Sequence, residues 1–142
     1  MASPLFKRYE MTVAGMIEQY NMERPNNVED NVKKDFLRKC EYNIIENVIL
    51  LYDPGVGERT PEEWQEYLDN FDYTSELILK DPFEDAYIYY LDQRISLNNN
   101  DKARYNAASA LFNNLFLAFK QKYNREHYPR QTRKMLLQHE VL

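Results

Sequence analysis

The sequence predicts an all-α fold: a small helical bundle with a long C-terminal helical hairpin and an extended C-terminal tail. Three observations predict it. Apolar residues recur every three or four positions over most of the chain, the period of a single helix face. Capping residues and prolines punctuate that pattern at sharp boundaries. Only three glycines occur in 142 residues, which suits long capped helices joined by few turns.

Thr12 caps a first short helix whose residues Val13, Met16, Ile17 and Tyr20 share one face. It stops near Arg24, because Pro25 disfavours helical geometry at the residue before it. Asn27 is expected to cap a second helix, with Asp30 at N3 where the helix dipole favours an acid. Val32, Phe36, Leu37, Cys40, Ile44, Val48 and Leu51 form its buried stripe and carry it to about Tyr52, where Asp53, Pro54, Gly55 and Gly57 end it. Thr60-Pro61-Glu62-Glu63 is a capping box with proline at N1, opening a short helix to Asp69 with Trp64, Tyr67 and Leu68 inward. From Phe71 to Lys80 the period is mixed, and Leu77, Ile78 and Leu79 read as a short extended piece.

Asp81-Pro82-Phe83-Glu84 repeats the order of cap, N1 proline and N3 glutamate, so a helix is expected there with Tyr87, Tyr90 or Leu91, and Ile95 toward the core. Asn98, Asn99 and Asn100 turn the chain, since asparagine tolerates left-handed geometry. Asp101 then starts the longest element, Lys102 to about His127, with a near-heptad seam of Tyr105, Ala108, Phe112, Leu115, Phe119 and Tyr123. At 1.5 Å per residue this helix is roughly 39 Å long, against about 37 Å for the diameter of a compact chain of this size. The two helices around the asparagines should form an antiparallel hairpin, packed by their aromatic residues against the second helix. Residues 1–129 thus read as one helical domain and 130–142 as an extension, basic and then apolar. Met135, Leu136, Leu137, Val141 and Leu142 have little core left to join, and apolar residues on a projecting tail point to a partner.

Composition excludes several function classes. Cys40 is the lone cysteine, which removes a disulfide framework and any Cys/His zinc spacing. Gly55 and Gly57 share one loop, so no phosphate-cradling glycine motif exists. No stretch of about 18 apolar residues occurs, and neither a membrane partner nor export by a signal peptide is expected. His127 and His139 lie in a basic region with no nucleophile nearby, Cys40 sits on a buried stripe, and no Glu-x-x-His pairs suggest a di-metal site. Neither catalytic residues nor a cofactor or metal are assigned, and the chain is not expected to be an enzyme. Its aromatic residues are spaced for a helical core, and its net charge of -5 argues against a dedicated nucleic-acid binder.

That net charge hides a strong asymmetry. Between Asp53 and Asp92 twelve acids face two bases, Arg59 and Lys80, for a net of -10. From Lys120 to the end six bases face two acids, for a net of +4. Such regions serve as solvated faces, or they bring unlike surfaces of neighbouring copies or partners together.

The second half of the chain resembles a family of tailed-phage head-tail connector, or adaptor, proteins. The resemblance rests on Asp81, Pro82, Asp85, Tyr87, Tyr90 and Leu91, then Arg104, Tyr105, Asn106, Phe112 and Asn113, then Tyr123, Asn124, Arg125, His127 and Pro129. With the Pro25-Asn26 link and the long helix after it, it extends over about Met11 to Arg130. Ala107 stands where asparagine is frequent, the Thr60–Asp69 helix is an insertion, and the tail is longer than in many relatives. The resemblance implies a structural protein of the virion neck, made in the host bacterial cytoplasm. It would form a homo-oligomeric ring, twelvefold in related connectors, between the portal protein and a tail-side neck protein such as a stopper or tail-tube component. Genomic DNA would pass through without specific recognition.

On that reading the tail residues Arg130, Arg133, Lys134, Met135, Leu136 and Leu137 dock onto the portal. Glu62, Glu63, Glu66, Asp69 and Asp72 are candidates to line the channel, where like charge would keep DNA from sticking. The alternative is a small, non-enzymatic helical interaction or regulatory module of the cytoplasm.

Overall fold

The computed structural model describes residues 11–51 and 59–127. Among them are five α-helices: α1 (Val13–Glu23), α2 (Asp30–Asn47), α3 (Pro61–Asp69), α4 (Asp85–Asn98) and α5 (Lys102–Glu126), with a 3-10 turn at Ile49–Leu51. The all-α class follows from these elements, and the described residues contain no strand.

Helix α1 begins as its sequence dictates. Thr12 Oγ1 accepts from the Gly15 N–H at 3.1 Å. Two further first-turn donors are satisfied from outside the helix: Val13 N–H donates to Ser75 O and Ala14 N–H to Tyr73 O. The expected extended piece is thus reduced to a single antiparallel bridge, Thr12 with Glu76, which lays residues 73–77 along the start of α1.

Helix α2 starts at Asp30 rather than just after Asn27, and Glu29 stands at the N-cap without a side-chain cap bond. The link holds itself in another way. Asn26 accepts from the Val28 N–H and donates to Arg24 O, while the Lys33 ammonium donates to Val28 O at 2.8 Å and Asn21 Oδ1 at 2.6 Å. At its other end α2 gives way to the 3-10 turn after Asn47. The tighter period turns Leu51 off the buried stripe, so that it is exposed rather than in the core.

The capping box of α3 is present in full, with Thr60 Oγ1 accepting from Glu63 N–H and Glu63 accepting from Thr60 N–H. Helix α4 departs from expectation: it begins at Asp85, with Glu84 at the N-cap. Pro82 belongs to the preceding turn, closed by Phe83 N–H donating to Lys80 O at 2.7 Å, and the Asp81–Pro82 bond is cis. Asn100 adopts a left-handed backbone with φ of 58°, and Asp101 then caps α5 through the Arg104 N–H.

Helix α4 is the centre of the bundle. Ala86, Tyr87, Ile88, Tyr90, Leu91 and Ile95 are all buried, against Val13, Met16, Ile17 and Tyr20 of α1 and Phe36, Leu37, Cys40, Ile44 and Ile45 of α2. Burying each large side chain contributes about 1.5–3 kcal/mol. Helix α5 packs on α4 and the turn before it rather than on α2, through Phe112 against Tyr90 of α4 and Phe119 against Phe83 of the turn at ring separations of 5.3 and 5.6 Å. The expectation that both hairpin helices meet α2 is therefore corrected: α4 fills that position and shields α2 from α5.

Candidate functional site

The side of α5 turned away from α4 has no partner among the described residues. Only Ala108 and Phe112 of its 25 residues are buried. Tyr105, Leu115, Phe119 and Tyr123 complete the expected seam as half-buried residues. A second row, Ala103, Ala107, Ala110, Asn114, Leu117 and Gln121, runs at alternating spacings of four and three and is exposed throughout. It carries no charge, and such spacing is what a helix presents to another helix.

The exposed bases Lys102, Lys120 and Arg125 flank this row, while Arg104 reaches back to Asp92 of α4 and Lys122 lies over the Phe83 ring. Glu126, 18 residues after Ala108, repeats the same angular position and so falls on the side facing α4. A chain of net charge -5 therefore displays an outward helix face whose flanking charges on α5, among the described residues, are bases.

The proposed channel residues Glu62, Glu63, Glu66, Asp69 and Asp72 are all exposed and cluster on α3 and the turn after it. Three of them also have local tasks. Glu63 closes the capping box, and hydrogen bonds from Thr60 hold its carboxyl below the usual range. Asp69 accepts from Gln65 at 2.9 Å. Asp72 accepts from the Thr74 hydroxyl and N–H, which lower its pKa and hold the turn. The tail residues Arg130, Arg133, Lys134, Met135, Leu136 and Leu137 lie outside the described residues, as does His139. His127 stacks on Tyr123 at 3.9 Å, with its Nδ1 2.8 Å from Tyr123 O, as part of the end of α5.

Two buried carboxylates organise the interior, and sequence reading missed both. Asp92 of α4 accepts from Tyr20 Oη at 2.7 Å, Arg24 Nε at 2.5 Å and Arg104 at 2.9 Å. It joins α1, α4 and α5, and gives Arg104 a definite task near the turn that closes the hairpin. Burial, then the Asp92 carboxylate, push the Tyr20 phenol upward, so it stays a donor.

Glu41 of α2 is fully buried and faces Tyr67 Oη at 2.7 Å, Tyr87 Oη at 2.6 Å and the Ile78 N–H at 2.9 Å. Burial raises its pKa to about 7, against the lowering effect of those hydrogen bonds. A signal for it existed: Glu41 lies four residues after Leu37 and three before Ile44, on the buried face.

A cleft of about 400 Å³ opens between Trp64 of α3, residues 76–80 and the Phe119–Tyr123 end of α5. Its one acidic lining residue, Glu76, is paired with Lys80 at 2.5 Å, so the cleft presents no convergent acid–base set. Among the described residues no His, Cys, Asp and Glu cluster could hold a metal ion, and no helix is long and apolar enough to cross a membrane. Comparison of the chain with family models, with curated protein sequences and with solved structures finds no match.

Proposed function

We propose that this chain is a structural subunit of a tailed-phage neck, a head-tail connector that assembles with copies of itself and joins the portal of the filled head to the tail. The observation that carries this reading is the outer face of α5, an uncharged heptad row between flanking bases that the other described residues leave uncovered. A helix of 25 residues, about 37 Å long, is an extended platform for packing against a neighbour. Packing of this face against a different surface of the neighbouring copy makes a head-to-tail interface, and such interfaces close into rings when the rotation closes.

In this reading Arg130, Arg133, Lys134, Met135, Leu136 and Leu137 dock onto the portal, and acids such as Glu62 and Glu66 turn toward the channel to repel passing DNA. Quantitative mass spectrometry of purified virions tests the class, with about twelve copies per particle expected for a ring of this type. Absence from virions overturns it. Deleting residues 131–142 should abolish joining to purified portal while circular dichroism of the helical domain is unchanged. Normal joining by the truncated chain would remove the assigned role of the tail.

A further inference from the structure

The protons around Glu41 do not balance if its carboxyl is ionised. Tyr87 Oη is well served: it accepts the Leu79 N–H at 2.8 Å and donates its own proton to Glu41 Oε1. Tyr67 Oη is not, because it lies 2.7 Å from Glu41 Oε2 and also 2.7 Å from the Glu76 carbonyl oxygen. A phenol has one proton to donate, and a carboxylate and a carbonyl are both acceptors only. One of those two oxygen pairs would then meet at hydrogen-bond distance with no proton between them.

A proton on Glu41 Oε2 removes the conflict. Oε2–H donates to Tyr67 Oη, Tyr67 donates to the Glu76 carbonyl, and Oε2 keeps a lone pair for the Ile78 N–H. Each donor and acceptor is then used once.

We propose that Glu41 is a proton-held latch: as the neutral acid it ties α2, through Tyr67 of α3, to the backbone of residues 76–79, and release of the proton loosens that tie. The surrounding groups allow it. Tyr67 of α3 and Tyr87 of α4 are pushed up first by burial and then by Glu41, so both remain protonated. Burial also raises the neighbouring Cys40 thiol on α2. From the 76–80 segment come the Ile78 N–H and the exposed Lys80, whose ammonium already pairs with Glu76 and only weakly favours the ionised form. The latch underlies the acidic α3 edge and the cleft beside it, whereas the Asp92 junction that holds the hairpin is separate.

Amide hydrogen exchange at Ile78 and Leu79, corrected for the intrinsic rate, tests this. The opening constant should rise about tenfold per pH unit between about 4.5 and 7 and level off above, since the closed form binds one more proton than the open form. In Glu41→Gln the same amides should lose that slope. The 13Cδ signal of Glu41 in the wild-type chain should titrate with the same midpoint, and the Glu76 carbonyl carbon should follow it in wild type but not in Tyr67→Phe. A Glu41 signal characteristic of the ionised form at about pH 5, or wild-type Ile78 opening that ignores pH, overturns the proposal even if Glu41→Gln fails to fold.

Discussion

Replacing Asp92 by alanine removes one acceptor from three donors on three different segments: Tyr20 and Arg24 around the end of α1, and Arg104 at the start of α5. The Asp92 side chain is 8% exposed, so its replacement leaves the buried Tyr20 hydroxyl without a partner, whereas Arg24 and Arg104 are 30% and 46% exposed and recover water. A hydrogen bond to a buried charge contributes about 1.5–3 kcal/mol, and a half-exposed ion pair at most about 1 kcal/mol. The expected cost of Asp92→Ala is therefore about 3–4 kcal/mol. For a chain of this size that lowers Tm by roughly 10 °C.

Asp92→Asn keeps an acceptor for Tyr20 but turns an NH2 toward a guanidinium, and should cost about 2 kcal/mol, while Arg104→Ala should cost about 1 kcal/mol or less. Urea denaturation followed by circular dichroism measures all three. An Asp92→Asn chain within about 0.5 kcal/mol of wild type would refute the view that a charged junction holds these helices.

Glu41 bears on stability with a defined sign. Its pKa is raised in the folded chain to about 7 from an ordinary 4.5, so the stabilisation is full below about pH 4.5 and is lost as pH rises to about 7, a change of about 3 kcal/mol. Denaturation midpoints at several pH values, compared with Glu41→Gln, measure that slope. Thr60→Ala removes one half of the α3 capping box and should cost about 1 kcal/mol in the same assay. Leu37→Ala empties a fully buried position and should cost about 3 kcal/mol. Leu117 is 53% exposed, so Leu117→Asp should leave stability within about 0.5 kcal/mol. If the outer face of α5 is the assembly surface, that variant should nevertheless fall roughly tenfold in copies per purified virion, a loss of about 1.4 kcal/mol of contact.

Helices were legible in the sequence because their signals are local. A cap at Thr12, the box at Thr60, the left-handed Asn100 and the seam from Tyr105 to Tyr123 all act within one or two turns, and each stands where its residues predict. Local signals failed where another partner competed for the same group. Asn26 and Lys33 hold the 25–29 link without a cap from Asn27, and the Lys80–Phe83 turn takes Pro82 away from the helix it was expected to start.

The buried carboxylates were hidden for a different reason. Tyr20 and Asp92 are 72 residues apart and Tyr87 and Glu41 are 46 apart, and a periodic pattern says which face of a helix is buried but not which polar atom waits on the other side. The charge asymmetry shows the same division. Composition along the chain alone established an acidic middle and a basic end, since it needs only counting. That bases of α5 flank an uncharged row, and that among the described residues this row is left uncovered because α4 stands between α5 and α2, depended on how three helices share one core.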